Sequence, residues 1–115
     1  VIPLSFMPLA GLVDLLEAAE VRAAQDPAEV NTPGAWVTLE SVVPATLRGD
    51  YRLEAVVYLI VPDQDHRRAL AALADLYNQV VPAVLTPDGP VVAQAVVLPD
   101  TSTPLPALRV PVHLH

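Results

Sequence analysis

Apolar residues recur along this chain with two different periods, and the two periods alternate. Between residues 8 and 25, Leu9, Leu12, Val13, Leu16, Ala19 and Ala23 fall at helical spacing, while Asp14, Glu17 and Glu20 sit off that stripe. Pro8 suits a first helical turn, where an N–H would lack a partner. Asp26-Pro27 is expected to end the helix, because a residue before proline is pushed out of the α region. Residues 36–40 then alternate, with Val37 and Leu39 on one side and Trp36, Thr38 and Glu40 on the other. Residues 41–50 carry Pro44 and Gly49 and read as a long hairpin loop. Residues 51–61 form the strongest strand pattern. Leu53, Ala55, Val57, Leu59 and Val61 line one face; the other begins with Arg52 and Glu54 but ends with Val56, Tyr58 and Ile60. A strand end apolar on both sides must be covered on both, by this chain or by a neighbour.

The second half repeats the order. Residues 62–65 are a turn in which Asp65 is a suitable N-cap. A helix follows with Leu70, Leu73, Tyr77, Val80 and Val84 spaced for one face, and Pro82 ends or kinks it. Residues 86–90 are a dense turn, 91–98 a third strand pattern, and 99–106 a loop rich in Thr, Ser and Pro. Leu108, Val110, Val112 and Leu114 finally alternate with Arg109, Pro111, His113 and His115. Pro111 cannot donate to a ladder, so at least one side of this strand is expected at a sheet edge. The order is α-β-β-α-β-β. It predicts one α/β (α+β) domain over residues 1–115: a mainly antiparallel sheet of about four strands with both helices on one face.

Composition narrows the function. The chain has 115 residues, of which 53% are hydrophobic and only 4% aromatic, so the core is built from Val, Leu and Ala. Surplus apolar surface on so small a domain points to self-association. The net charge is −7 and all six cations are Arg, which argues against binding nucleic acid by phosphate neutralisation. An acidic wall instead lets DNA pass without sticking. The absence of cysteine removes disulfides and thiolate chemistry. Apolar stretches are broken well short of the ~20 residues of a membrane span, and Val1-Ile2-Pro3-Leu4 lacks the basic start of a secretory signal.

No catalytic set emerges. His113 and His115 share a strand face, but His66 is the only other histidine and lies far away in sequence, too few ligands for a metal. Asp63, Asp65 and His66 are explained as a turn and a helix cap, with no nucleophile nearby. No catalytic, cofactor-binding or metal residue is therefore expected. Arg67 and Arg68 stand in a first helical turn, where the macrodipole disfavours positive charge. They are either a solvated helix start or partners for an acidic surface of another subunit. Trp36 is either core beneath a helix or an interface anchor. In the 41–50 loop, Val42, Val43 and Leu47 are apolar and need a cover, while Arg48 and Asp50 can add polar contacts at its base. That loop is expected to project and touch another protein, the alternative being that it folds back on its own sheet.

In element order and style, the whole chain resembles the tail terminator (tail-completion) proteins of long non-contractile-tailed phages. The resemblance runs through the helix before Asp26-Pro27, Gly34-Ala35-Trp36-Val37 opening a strand, Arg48-Gly49-Asp50-Tyr51 before the long strand, the helix over 70–80, and Pro106-Ala107-Leu108 opening the last strand. It implies a structural, non-enzymatic virion subunit, assembled in the host cytoplasm. Such subunits form a hexameric ring that caps the tail tube, ends its polymerisation and joins the tail to the head connector. The implied partners are further copies of the chain, the tail tube protein and the head–tail connector protein, with DNA passing through the lumen unbound and no membrane. Two surfaces are expected to be left for a neighbouring subunit, the doubly apolar end of the 51–61 strand and the edge bearing Pro111. Another phage neck or head–tail joining protein, or a small ligand-binding or regulatory α/β domain, shares the same general features.

Overall fold

A computed structural model describes residues 6–44, 51–62, 65–81, 84–99 and 103–114. Helix α1 spans Met7–Ala18 with Pro8 in its first turn. It stops well short of residue 25, and Asp26 instead caps a separate 3₁₀ turn, Pro27–Glu29, by accepting from the Ala28 N–H at 2.9 Å. What ends α1 is a pair of backbone bonds: Glu20 N–H donates to Glu17 O and Val21 N–H to Leu16 O, each at 3.0 Å. This is a Schellman closure, and its left-handed position is filled by Glu20 at φ 66°. Val21 and Leu16 are both buried, which supplies the apolar contact such closures favour. A side chain in the left-handed region costs roughly 1–2 kcal/mol, partly offset in glycine by its larger unfolded-state entropy. Glu20→Gly is therefore expected to stabilise the domain by about 0.5–1 kcal/mol. A urea midpoint that stays put or falls would contradict this closure.

The strands are β1 (Ala23–Ala24), β2 (Gly34–Pro44), β3 (Tyr51–Ile60), β4 (Val92–Ala93) and β5 (Ala107–Leu114), with helix α2 (His66–Val80) between β3 and β4. They form one mixed sheet in the order β1-β2-β3-β5-β4. Only β1 runs parallel to its neighbour; all other pairs are antiparallel. The expected four strands and two helices are present, joined by the two-residue β1.

Both helices pack on one face of this sheet. Leu9, Leu12 and Leu16 of α1 and Ala69, Leu73, Leu76 and Val80 of α2 share one core with Ala35, Val37, Ala55, Val57, Leu59, Val110 and Val112. The α2 stripe is rotated from the expected one. Leu73 and Val80 are buried and Tyr77 and Val84 pack half-buried against them, but Ala69 and Leu76 are the deeper members of the stripe and Leu70 is left half exposed. Both sets satisfy a helical period; the small Ala69 is the one turned into the core.

The second face of β3 is covered by this chain, not left for a neighbour. Ile60 is fully buried in a cluster with its sheet neighbour Ala107 and with Val96, Leu98 and Leu105. This also explains why the expected strand over 91–98 shrinks to Val92–Ala93. The segment leaves the sheet edge to wrap over the second face, keeping its alternation (Val96 and Leu98 in, Val97 out) but only one bridge, Val96 to Leu105.

The first four residues of the expected loop over 41–50 are strand. Ser41, Val42, Val43 and Pro44 belong to β2 and pair with Glu54, Leu53, Arg52 and Tyr51. A bulge between Leu39 and Ser41 absorbs one extra residue, which hides the alternation from a sequence reading. The projecting-loop expectation, with Leu47, Arg48 and Asp50, lies outside the described residues. At Pro111, β5 does meet an edge. β4 pairs only with Leu108 and Arg109, and Pro111 instead accepts from the Asp88 N–H at 2.8 Å on its outer side. Its missing N–H therefore faces away from β3, where it costs the ladder nothing.

Candidate functional site

Asp65 holds the N-cap position of α2 but makes no side-chain cap bond. Neither Asp65 nor His66 is buried. His113 Nδ1 lies 3.2 Å from an Asp88 carboxylate oxygen, a pair that is ionic only when the imidazole is protonated. Asp63 and His115 lie outside the described residues. Among the described residues, no three His, Cys, Asp or Glu side chains gather as a metal site would require.

Trp36 sits on the sheet face away from the helices, so it is not core beneath a helix. It stacks on Tyr58 with ring centroids 5.1 Å apart, and its Nε1–H donates to Gln25 O at 3.0 Å. On the same face Arg109 donates to Glu40 at 2.6 Å, reaching across β3 from one flanking strand to the other. Arg52 pairs with Glu54 at 2.8 Å. These contacts brace the face that the wrapped segment only partly covers. A pair as exposed as Arg109–Glu40 contributes no more than about 1 kcal/mol.

The sequence-selected surface residues separate into two places. Val42 and Val43 are half-buried at the start-of-β3 end of the β2–β3 ribbon. Arg67 and Arg68 are exposed in the first turn of α2, just after the other end of β3. Ten strand residues separate these ends, roughly 30 Å, so the two groups do not form one site.

Two surfaces escape a sequence reading. The first is the outer edge of β2. β1 pairs only with Ala35 and Trp36, so from residue 38 to 44 no described strand lies beside it. The second is an open apolar groove of about 310 Å³ between α2 and the β4–β5 edge, lined by Leu70, Leu73, Ala74, Tyr77, Val91 and Leu108. It continues into a cleft of about 400 Å³ running past Ala69 to Ala93 and Pro106. A third cleft, beside β1, is edged by Glu17, Glu20 and Glu29 with Arg22, an acidic setting that repels phosphate. None of these clefts holds a convergent set of buried polar groups; among the described residues, no buried side chain is polar or charged.

Compared with protein-family models, curated proteins and solved structures, the chain matches none of them. No helix among the described residues is long and apolar enough to cross a membrane.

Proposed function

We propose that the chain is a ring-forming structural subunit of a phage virion, which caps the tail tube and joins it to the head connector. The observation that carries this reading is the pair of unlike open edges on one sheet. Beyond β1 no described strand lies beside β2, and the outer edge of β5 carries only the short β4 and single backbone bonds from Asp88 and Gln94, with one from Val96 to Leu105 just ahead of the strand. Short edge strands blunt each edge in part, and the bulge in β2 discourages indiscriminate pairing. Unlike surfaces on opposite sides of a subunit join head to tail, and repetition of that contact closes into a ring when the rotation permits. The α-β-β-α-β-β order of the tail-terminator resemblance supports the same reading, with a hexamer as the expected ring. So does the net charge of −7, which suits a lumen that DNA crosses without adhering. The subunit then acts by shape: one face of the ring ends the tube, and the other receives the connector.

The reading is tested by polymerising the tail tube protein encoded by the same genome, with and without this chain. Added chain is expected to arrest growth and narrow the tube-length distribution in electron micrographs. Tubes of unchanged length and number would overturn it.

A further inference from the structure

We infer that the groove between α2 and the β4–β5 edge is the socket for helix α1 of a second copy of this chain. The inference rests on the ring reading and names the surfaces through which the copies meet. Four observations carry it.

The groove is apolar and open, and Leu70 at its rim is 50% exposed and belongs to neither buried cluster of the described residues. The outer side of α1 carries the matching surplus: Met7 is 73% and Leu15 58% exposed. With Gly11 these residues follow an i, i+4, i+8 stripe, the pattern by which an amphipathic helix enters a groove.

Gly11 is the second clue. A glycine inside a helix lowers helix stability, and here no atom within 4 Å would obstruct a Cβ. Within one subunit this glycine has no steric reason. At the centre of an exposed apolar stripe it lets another surface come close to the α1 backbone.

Charge is the third. α1 carries Asp14 and Glu17 and no cation, whereas on α2 the exposed Arg67 stands next to His66, which lines the cleft, and in the direction of Asn78, which lines the groove. The acidic helix and this cation attract, and Arg suits such pairing through its planar fork.

Placement is the fourth. α1 packs on β1 and β2, while the groove lies at the β5–β4 side of the same sheet. A subunit's own α1 therefore does not fill its own groove, and the contact between copies runs head to tail.

The absence of cysteine makes the test clean. Leu15→Cys and Leu70→Cys are prepared as separate variants and as a double variant, then oxidised mildly at high concentration. Mixing the two single variants is expected to give a disulfide-linked dimer, and the double variant a ladder of higher species. Dimers from Leu70→Cys alone, without the mixed product, would show an α2–α2 contact and overturn the inference. Leu70→Glu is expected to weaken self-association by roughly tenfold or more, as the loss of a central apolar anchor does. Gly11→Leu is expected to weaken it likewise while raising the thermal midpoint of the isolated subunit. A linked ladder that never closes supports this contact and counts against the ring. Rings that form without the α1–α2 cross-link overturn the contact and leave the ring reading standing. Monomers that never cross-link overturn the inference, and the tube-length experiment then decides the ring reading independently.

Discussion

Replacing Gly34 with alanine is expected to destabilise the domain by at least about 3 kcal/mol. Gly34 opens β2 where the chain has just turned back from the 3₁₀ segment. An added Cβ would collide with the carbonyl oxygen of Asn31 and lie 2.8 Å from that of Arg22. Both obstacles are backbone, so neither can rotate aside as a long side chain would. The Arg22 carbonyl is also held in place, because it accepts from the Ala35 N–H at 2.7 Å to start the parallel β1–β2 pairing. Relief requires opening that junction and withdrawing β1 from the sheet edge. With a urea slope of roughly 1–3 kcal/mol per molar, the midpoint should fall by about 1 M or more. A loss below about 0.5 kcal/mol, the usual range for a neutral surface change, would show that the close approach is not as described.

The next largest loss is expected from Leu59→Ala, at about 3–4 kcal/mol. Leu59 is fully buried in the central strand, between Ala35 on one neighbour and Leu108 on the other, and it faces both helices. The β3 strand is hydrogen-bonded on both sides, so it cannot shift to close the cavity cheaply. A domain of 115 residues has a total stability of roughly 6–17 kcal/mol, so this one change removes a large share. Leu70→Ala is the matched control. It deletes the same atoms from a half-exposed site and should cost under about 1 kcal/mol in the isolated subunit. Equal losses at the two positions, read from urea midpoints, would mean that α2 presents the other stripe to the core.

That contrast marks where the sequence is legible. The long strand, the two helices and their common face follow from periodicity, because Leu53 through Val61 and Leu9 through Leu16 each hold one period over several turns or pleats. The end of α1 is not legible, since a glutamate at a left-handed position leaves no trace in composition; glycine there would have marked it. The two residues of β1 are too few to show a period. Ala69 and Leu76 compete with Leu70 and Tyr77 for the inner face of α2, and a count of large apolar residues favours Leu70 over the smaller Ala69 that is buried. The bulge beyond Leu39 puts Val42 and Val43 out of phase, so a paired strand reads as loop. The cover of Ile60 comes from residues more than thirty positions downstream, which local pattern cannot connect. The candidate surfaces inherit these limits. Arg67 and Arg68 are legible as a basic helix start, but the groove farther along α2 exists only through the phase of that helix and the brevity of β4.

The most direct measurement is the number and arrangement of copies of this chain at the end of an assembled tail, by cryo-electron microscopy of purified particles. A single closed ring of identical copies seated on the terminal tube layer is the predicted result. An isolated single copy there, or particles that lack the chain altogether, would contradict the account.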